Sequence, residues 1–230
     1  ISLSNRIAQQ VNYLQKNKNV GILGTQYQAI NGKSRKLPLT HQEICWHLLN
    51  ASPFVHPSVM FRSSFIKNLP VIYNKEFEFA EDLELWVRAS AQTELANLPA
   101  QLIQYRFHKG THQKNLQRVA ELNTIIKKIH ISNLYPNMVE TDIEKLAVYL
   151  NRHKYPIYSL DWFIRCFDFF QKILTQYTDE LVSKTLNQAV WFHLASAYTM
   201  YPQLKKIIKN HSWIQLNTKQ KIWLQIKKFK

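Results

Sequence analysis

The spacing of apolar and polar positions changes character about halfway along the chain. In the first half, short apolar runs alternate with amphipathic stretches. This predicts a helix near Leu3 to Gln15, a strand near Val20 to Ala29 ending in an Asn31-Gly32 turn, and a helix around His41 to Leu49. A strand near Phe54 to Phe61, a short helix around Ser63 to Lys67 and a helix from about Ala80 to Ala91 follow. Strands near Glu94 to Leu98 and Gln101 to Phe107 complete a mixed α/β region. From about His112 the period is helical throughout. Candidate helices fall near 113–132, 141–152, 159–176, 179–199, 203–210 and 218–228, separated at Pro136, Pro156 and Pro202. All four glycines, Gly21, Gly24, Gly32 and Gly110, lie in the α/β part. The expected organisation is therefore an α/β domain over 1–115 and an all-α, basic appendage over 116–230.

Composition narrows the class. With 46% hydrophobic and 20% charged residues, the 230-residue chain has a globular balance. Cys45 and Cys166 show neither CxxC nor zinc-type spacing, so no disulfide framework is indicated and a reducing cytoplasm fits. The most apolar stretches, Trp162 to Phe170 and Ala189 to Tyr198, fall short of the roughly 18 to 20 residues a spanning helix needs. The start at Ile1, with no signal-peptide order of regions, suggests a piece of a longer protein.

A net charge of +15 favours polyanions, whether nucleic acid, an anionic membrane surface, phosphorylated glycans or nucleotide-linked donors. The acids are unevenly placed. None precedes Glu43 or follows Glu180, Tyr201 to Lys230 holds eight lysines, and five of the fifteen acids, Glu76, Glu78, Glu81, Asp82 and Glu84, fall within nine residues.

That cluster carries the candidate chemistry. In Phe79-Ala80-Glu81-Asp82-Leu83-Glu84-Leu85-Trp86-Val87-Arg88, adjacent carboxylates open an amphipathic helix, where free N–H groups and the helix dipole favour anions. Asp82 is expected to be ionised there, and Glu84 and Arg88 form an i,i+4 pair. A rigid carboxylate suits the removal of a proton from an attacking hydroxyl; the plainer alternative is that Asp82 merely caps the helix.

The segment resembles the ED motif of family 2, GT-A glycosyltransferases, and its neighbours match that family in order. Ile1 to Val11 resembles the stretch following the metal-binding DxD motif, and Val20-Gly21-Ile22-Leu23-Gly24-Thr25 the next strand. Asn50 to Arg62, containing His56-Pro57-Ser58 and Met60-Phe61-Arg62, resembles the NP, HPS and MFRR segment. Asn97-Leu98-Pro99 and Tyr105-Arg106-Phe107-His108 resemble the NLP and YRxH segment that closes the domain. The likeness covers about the first 115 residues and implies a partial GT-A domain on the acceptor and base side, without the DxD or the nucleotide-binding strands, and so inactive alone.

Carried over by position, the resemblance implies Asp82 as general base with Glu81 beside it, His56, Ser58, Arg88 and Arg106 as acceptor or donor contacts, and His108 as a reach to the metal or diphosphate. Rival readings stand at His56, as a satisfied histidine at a strand end, and at His108, as a solvent-exposed loop residue. Arg88 fits a structural role better than a catalytic one. The implied activity is inverting transfer from a nucleotide-sugar donor to a glycan or lipid-linked acceptor in bacterial cell-envelope polysaccharide or lipopolysaccharide synthesis, with Mn2+ or Mg2+ as cofactor. The absence of QxxRW after the ED motif argues against a processive synthase.

The appendage interleaves Trp191, Phe192, Tyr198, Tyr201, Trp213, Trp223 and Phe229 with lysines. Such helices suit peripheral attachment to the inner membrane, protein docking, or an ordinary solvated face. The alternative function is a non-catalytic interaction or polyanion-binding module; nucleic acid is disfavoured because no RRM, KH, helix-turn-helix or zinc signature is present.

Overall fold

The computed structural model describes residues 1–31, 34–106, 115–151 and 168–173. The chain forms two compact units, Ile1–Lys154 and Tyr155–Lys230. Of the second unit only the helical residues 168–173 are described, so the helices expected near 179–199, 203–210 and 218–228 lie outside the described residues, as do the turn glycine Gly32 and most of the helix expected near 159–176.

The first unit runs α1 (Arg6–Lys16), β1 (Val20–Ala29), α2 (His41–Leu48), a 3-10 turn (His56–Ser58), β2 (Met60–Phe61), α3 (Ser63–Ile66), a second 3-10 turn (Lys75–Phe77), α4 (Glu81–Ser90), β3 (Glu94–Tyr105), α5 (Leu116–Leu134) and α6 (Glu140–Leu150). β1 is central, antiparallel to β2 and parallel to β3. Its first eight residues are all buried because both faces are covered. Ile22 and Leu95 point to one face, joining Ile44, Leu48, Phe54, Leu85 and Trp86 from the helical crossover. Leu23 and Ala96, one residue on, point to the other face and meet Leu14 of α1. The polar members of β1 are satisfied in place: the Gln26 amide donates to the Leu37 carbonyl at 3.0 Å and accepts from its N–H at 2.8 Å.

Gly24 is required by close approach. A Cβ there would stand 2.2 Å from Asn97 Oδ1 and 2.5 Å from a Phe54 ring carbon. Asn97 in turn donates to the carbonyls of Pro38 at 2.7 Å and Pro53 at 3.0 Å, drawing the loops on either side of α2 onto the sheet. α2 itself opens with a capping box, Thr40 accepting from Glu43 N–H and the Glu43 carboxylate from Thr40 N–H.

Three expectations change. The strand expected over Phe54 to Phe61 is largely irregular chain around a 3-10 turn, because Pro53 and Pro57 supply no N–H to a ladder; Ser58 and Val59 instead donate back to Val55 and His56, leaving Met60–Phe61 to pair with β1. The two strands expected either side of Pro99 are one strand, which passes the proline through a shift of register between Thr25 and Gln26. The division expected near residue 115 falls later: α5 sends Leu122 and Ile126 into the Trp86 core, and α6 packs on α5, so both belong to the first unit.

Candidate active site

α4 begins at Glu81, and its N-cap position is Ala80, with no side-chain cap. Asp82 therefore occupies the first turn and does not cap the helix. Just before it, Phe79 takes a left-handed φ of 76°, a conformation that a bulky residue adopts at a cost of about 1–3 kcal/mol. The kink directly precedes Glu81 and Asp82 and leaves the Phe79 ring exposed.

One Asp82 oxygen accepts the Leu83 N–H at 2.7 Å. Burial pushes the Asp82 carboxyl above the ordinary aspartate value, more than the Leu83 N–H and nearby His56 pull it down, and the Glu81 charge adds to the rise. The helix terminus alone suggests a readily ionised group; the desolvation that opposes it is invisible in the sequence. Glu81 Oε2 is buried with no hydrogen-bond partner.

Facing these carboxylates are His56 and a residue the sequence reading missed, Tyr73. The Tyr73 hydroxyl and His56 Nε2 are joined by a 2.8 Å hydrogen bond, and the His56 ring stands edge-on to Trp86, centroids 5.6 Å apart. Burial and the charges of Asp82 and Glu81 raise the Tyr73 phenol. Trp86, fully buried and packed against Phe54 and Phe61, thus anchors the histidine to the core. A cavity of about 350 Å3, lined by Tyr73, Asn74, Lys75, Glu78 and Glu81, opens beside this group.

The remaining predicted residues fall elsewhere. Ser58 is fully buried behind the site: its hydroxyl accepts from Thr25 N–H at 3.2 Å, and its carbonyl accepts from Gln10 at 2.9 Å and Arg6 at 3.1 Å. It is a strut beneath His56 and does not line the cleft. Arg88 pairs with Glu84 through Nε and Nη2 at 2.8 and 2.9 Å, and donates to the carbonyls of Val71 and Ile72 at 2.9 Å each. Arg106 is exposed just beyond β3, and His108 lies outside the described residues.

Among the described residues no three His, Cys, Asp or Glu side chains come together to hold a metal ion. Cys45 is free and buried, and burial pushes its thiol up to about 11. Among the described residues no helix is long and apolar enough to cross a membrane.

No family model matches the chain, and no solved structure matches it. Over 129 residues it is 33% identical to a Haemophilus influenzae protein named an uncharacterized glycosyltransferase, an alignment taking in 55% of this chain and 39% of that relative. The chain thus spans about two fifths of the length of the curated relative it matches. The mixed α/β unit with its small three-stranded sheet is compatible with part of a glycosyltransferase domain.

Proposed function

We propose that this chain is the base-bearing, acceptor-side part of a family 2, GT-A glycosyltransferase that transfers a sugar with inversion from a nucleotide donor to a glycan or lipid-linked acceptor of the bacterial envelope. The observation that carries the reading is Asp82 itself, a partly desolvated carboxylate next in sequence to Glu81, which lines a sugar-sized cavity. The acceptor O–H gives its proton to an Asp82 oxygen while its oxygen attacks the donor's anomeric carbon. The bond from that carbon to the diphosphate oxygen breaks, and the nucleoside diphosphate leaves with the electron pair. Burial raises the proton affinity of Asp82 and so makes it a stronger base than a solvated aspartate. Glu81 shapes the acceptor contact, and His56 orients the Tyr73 wall of the pocket. A cofactor Mn2+ or Mg2+ in the full-length enzyme belongs to the same reading and would stabilise the leaving diphosphate. The expected setting is the cytoplasmic face of the inner membrane, with the basic 155–230 region as a peripheral anchor.

The test is transfer and donor hydrolysis by the full-length protein that carries this chain, with UDP-, GDP- and dTDP-sugars in the presence of Mn2+ or Mg2+, beside its Asp82→Asn variant. Turnover that drops about 100- to 10,000-fold in a folded variant is the expected outcome for loss of a general base. Equal turnover in both proteins sinks the assignment.

A further inference from the structure

Resting on the reading of this cleft as the acceptor side, we propose that its pocket selects an acceptor ring without anionic substituents, a neutral or amino sugar, laid against the Tyr73 ring and hydrogen-bonded to Glu81.

The pocket is charged oppositely to the molecule as a whole. The whole chain carries +15, which draws anions. The cavity is instead lined by two carboxylates, Glu78 and Glu81, against the single cation Lys75, and the Asp82 charge acts on the Tyr73 wall from the position after Glu81. A phosphate or uronate brought there meets like charge at short range. Glu81 Oε2 is buried and unpartnered, so it lacks a donor that a sugar hydroxyl or ammonium group would supply.

The second element is aromatic. Tyr73 is 39% exposed, yet it is held at two points: its hydroxyl by His56, and the preceding carbonyls of Val71 and Ile72 by Arg88. A ring fixed in this way offers a preformed apolar face to the C–H side of a sugar. The volume of about 350 Å3 lies at the small end of the roughly 300–1,000 Å3 range of ligand sites and suits a single sugar unit. Tyr73 is thus a specificity-determining residue, with His56 and Arg88 positioning it.

Saturation-transfer NMR on the full chain tests this with methyl glucoside, galactoside, N-acetylglucosaminide and glucosaminide as probes, and the matching uronates and 6-phosphates as competitors. Saturable binding of at least one neutral or amino probe is expected, with anionic counterparts displacing it about tenfold less well. Tyr73→Ala should weaken binding about tenfold, while Tyr73→Phe, which keeps the ring, restores most of it. Glu78→Gln provides an independent arm, because it narrows the gap between neutral and anionic ligands without touching the aromatic wall. Anionic ligands that compete as well as neutral ones, absence of saturable binding by every neutral and amino probe, or unchanged binding in Tyr73→Ala overturns the proposal. An Asp82→Asn protein that still turns over while this binding pattern holds sinks the base assignment alone; loss of the pattern beside an essential Asp82 sinks only the selectivity.

Discussion

Asp82 is half-buried and His130 fully buried, and the same physics moves these ionisable side chains in opposite directions because desolvation penalises whichever form is charged. It raises the carboxyl of Asp82 and pushes His130, 1% exposed, down to about 4 from 6.5. The imidazole donates from Nε2 to the Cys45 carbonyl at 2.6 Å, while Nδ1 is buried with no partner; a second ring proton would have nowhere to bond. In the unfolded chain His130 takes up a proton below pH 6.5, whereas in the folded chain it stays neutral until about pH 4. Its contribution to stability is therefore intact above pH 6.5 and is lost as pH falls through that window, about 3 kcal/mol in total. Denaturant titrations from pH 7 to 4 on the wild type and His130→Gln should show the wild type losing this increment and the variant lacking that loss; parallel pH curves contradict it. At this scale, the sequence made Asp82 legible because two adjacent acids opened an amphipathic run. Tyr73 was not legible, since it sits in a loop with no periodicity and meets His56, 17 residues away, only in the fold. Ser58 fitted a recognisable segment, but its complete burial depends on Arg6, Gln10 and Thr25 closing around it.

α4 does more than present carboxylates. Its outer face carries the Glu84–Arg88 pair, and Arg88 reaches across to the carbonyls of Val71 and Ile72, so one helix both carries Asp82 and holds the segment leading to Tyr73. Arg88→Ala should cost about 1–3 kcal/mol, as expected for charged hydrogen bonds lost at a partly buried site. It should also free Tyr73, seen as a changed His56 ring signal in NMR and as weaker acceptor binding with the base chemistry retained. A variant of unchanged stability and unaltered His56 signal contradicts this coupling. The i,i+4 pair was legible from spacing; its carbonyl partners were not, because they belong to irregular chain. Element types over α1, β1, α2, α4 and α5 followed from periodicity. The strand expected at Phe54 to Phe61 failed because two prolines outweighed an apolar run, and Pro99 bent β3 without ending it.

Across the molecule, the surplus of positive charge is only partly a surface for anions. Arg6, Arg62, Arg88 and Lys127 all donate to backbone carbonyls and act as internal clamps. Lys127, buried on α5, holds the Leu49 carbonyl at the end of α2, and Leu122 and Ile126 of the same helix complete the core around Trp86. The change of period near residue 112 was legible, but which side of it the following helices join was set by packing. A chain ending at Lys154 should accordingly unfold cooperatively with near-UV signal from its buried tryptophan, whereas one ending at residue 115 should lose that signal; cooperative unfolding of the shorter chain contradicts the boundary. The site depends on the same assembly, for His56, Tyr73 and Asp82 come from separate segments fixed by the core. Its central feature is tested most directly by the pH dependence of kcat/KM for sugar transfer, compared with the residual turnover of Asp82→Asn. A base at Asp82 predicts activity that falls as pH drops through a midpoint above the usual aspartate range, and no such limb in the variant. The same acid limb in both proteins would contradict it.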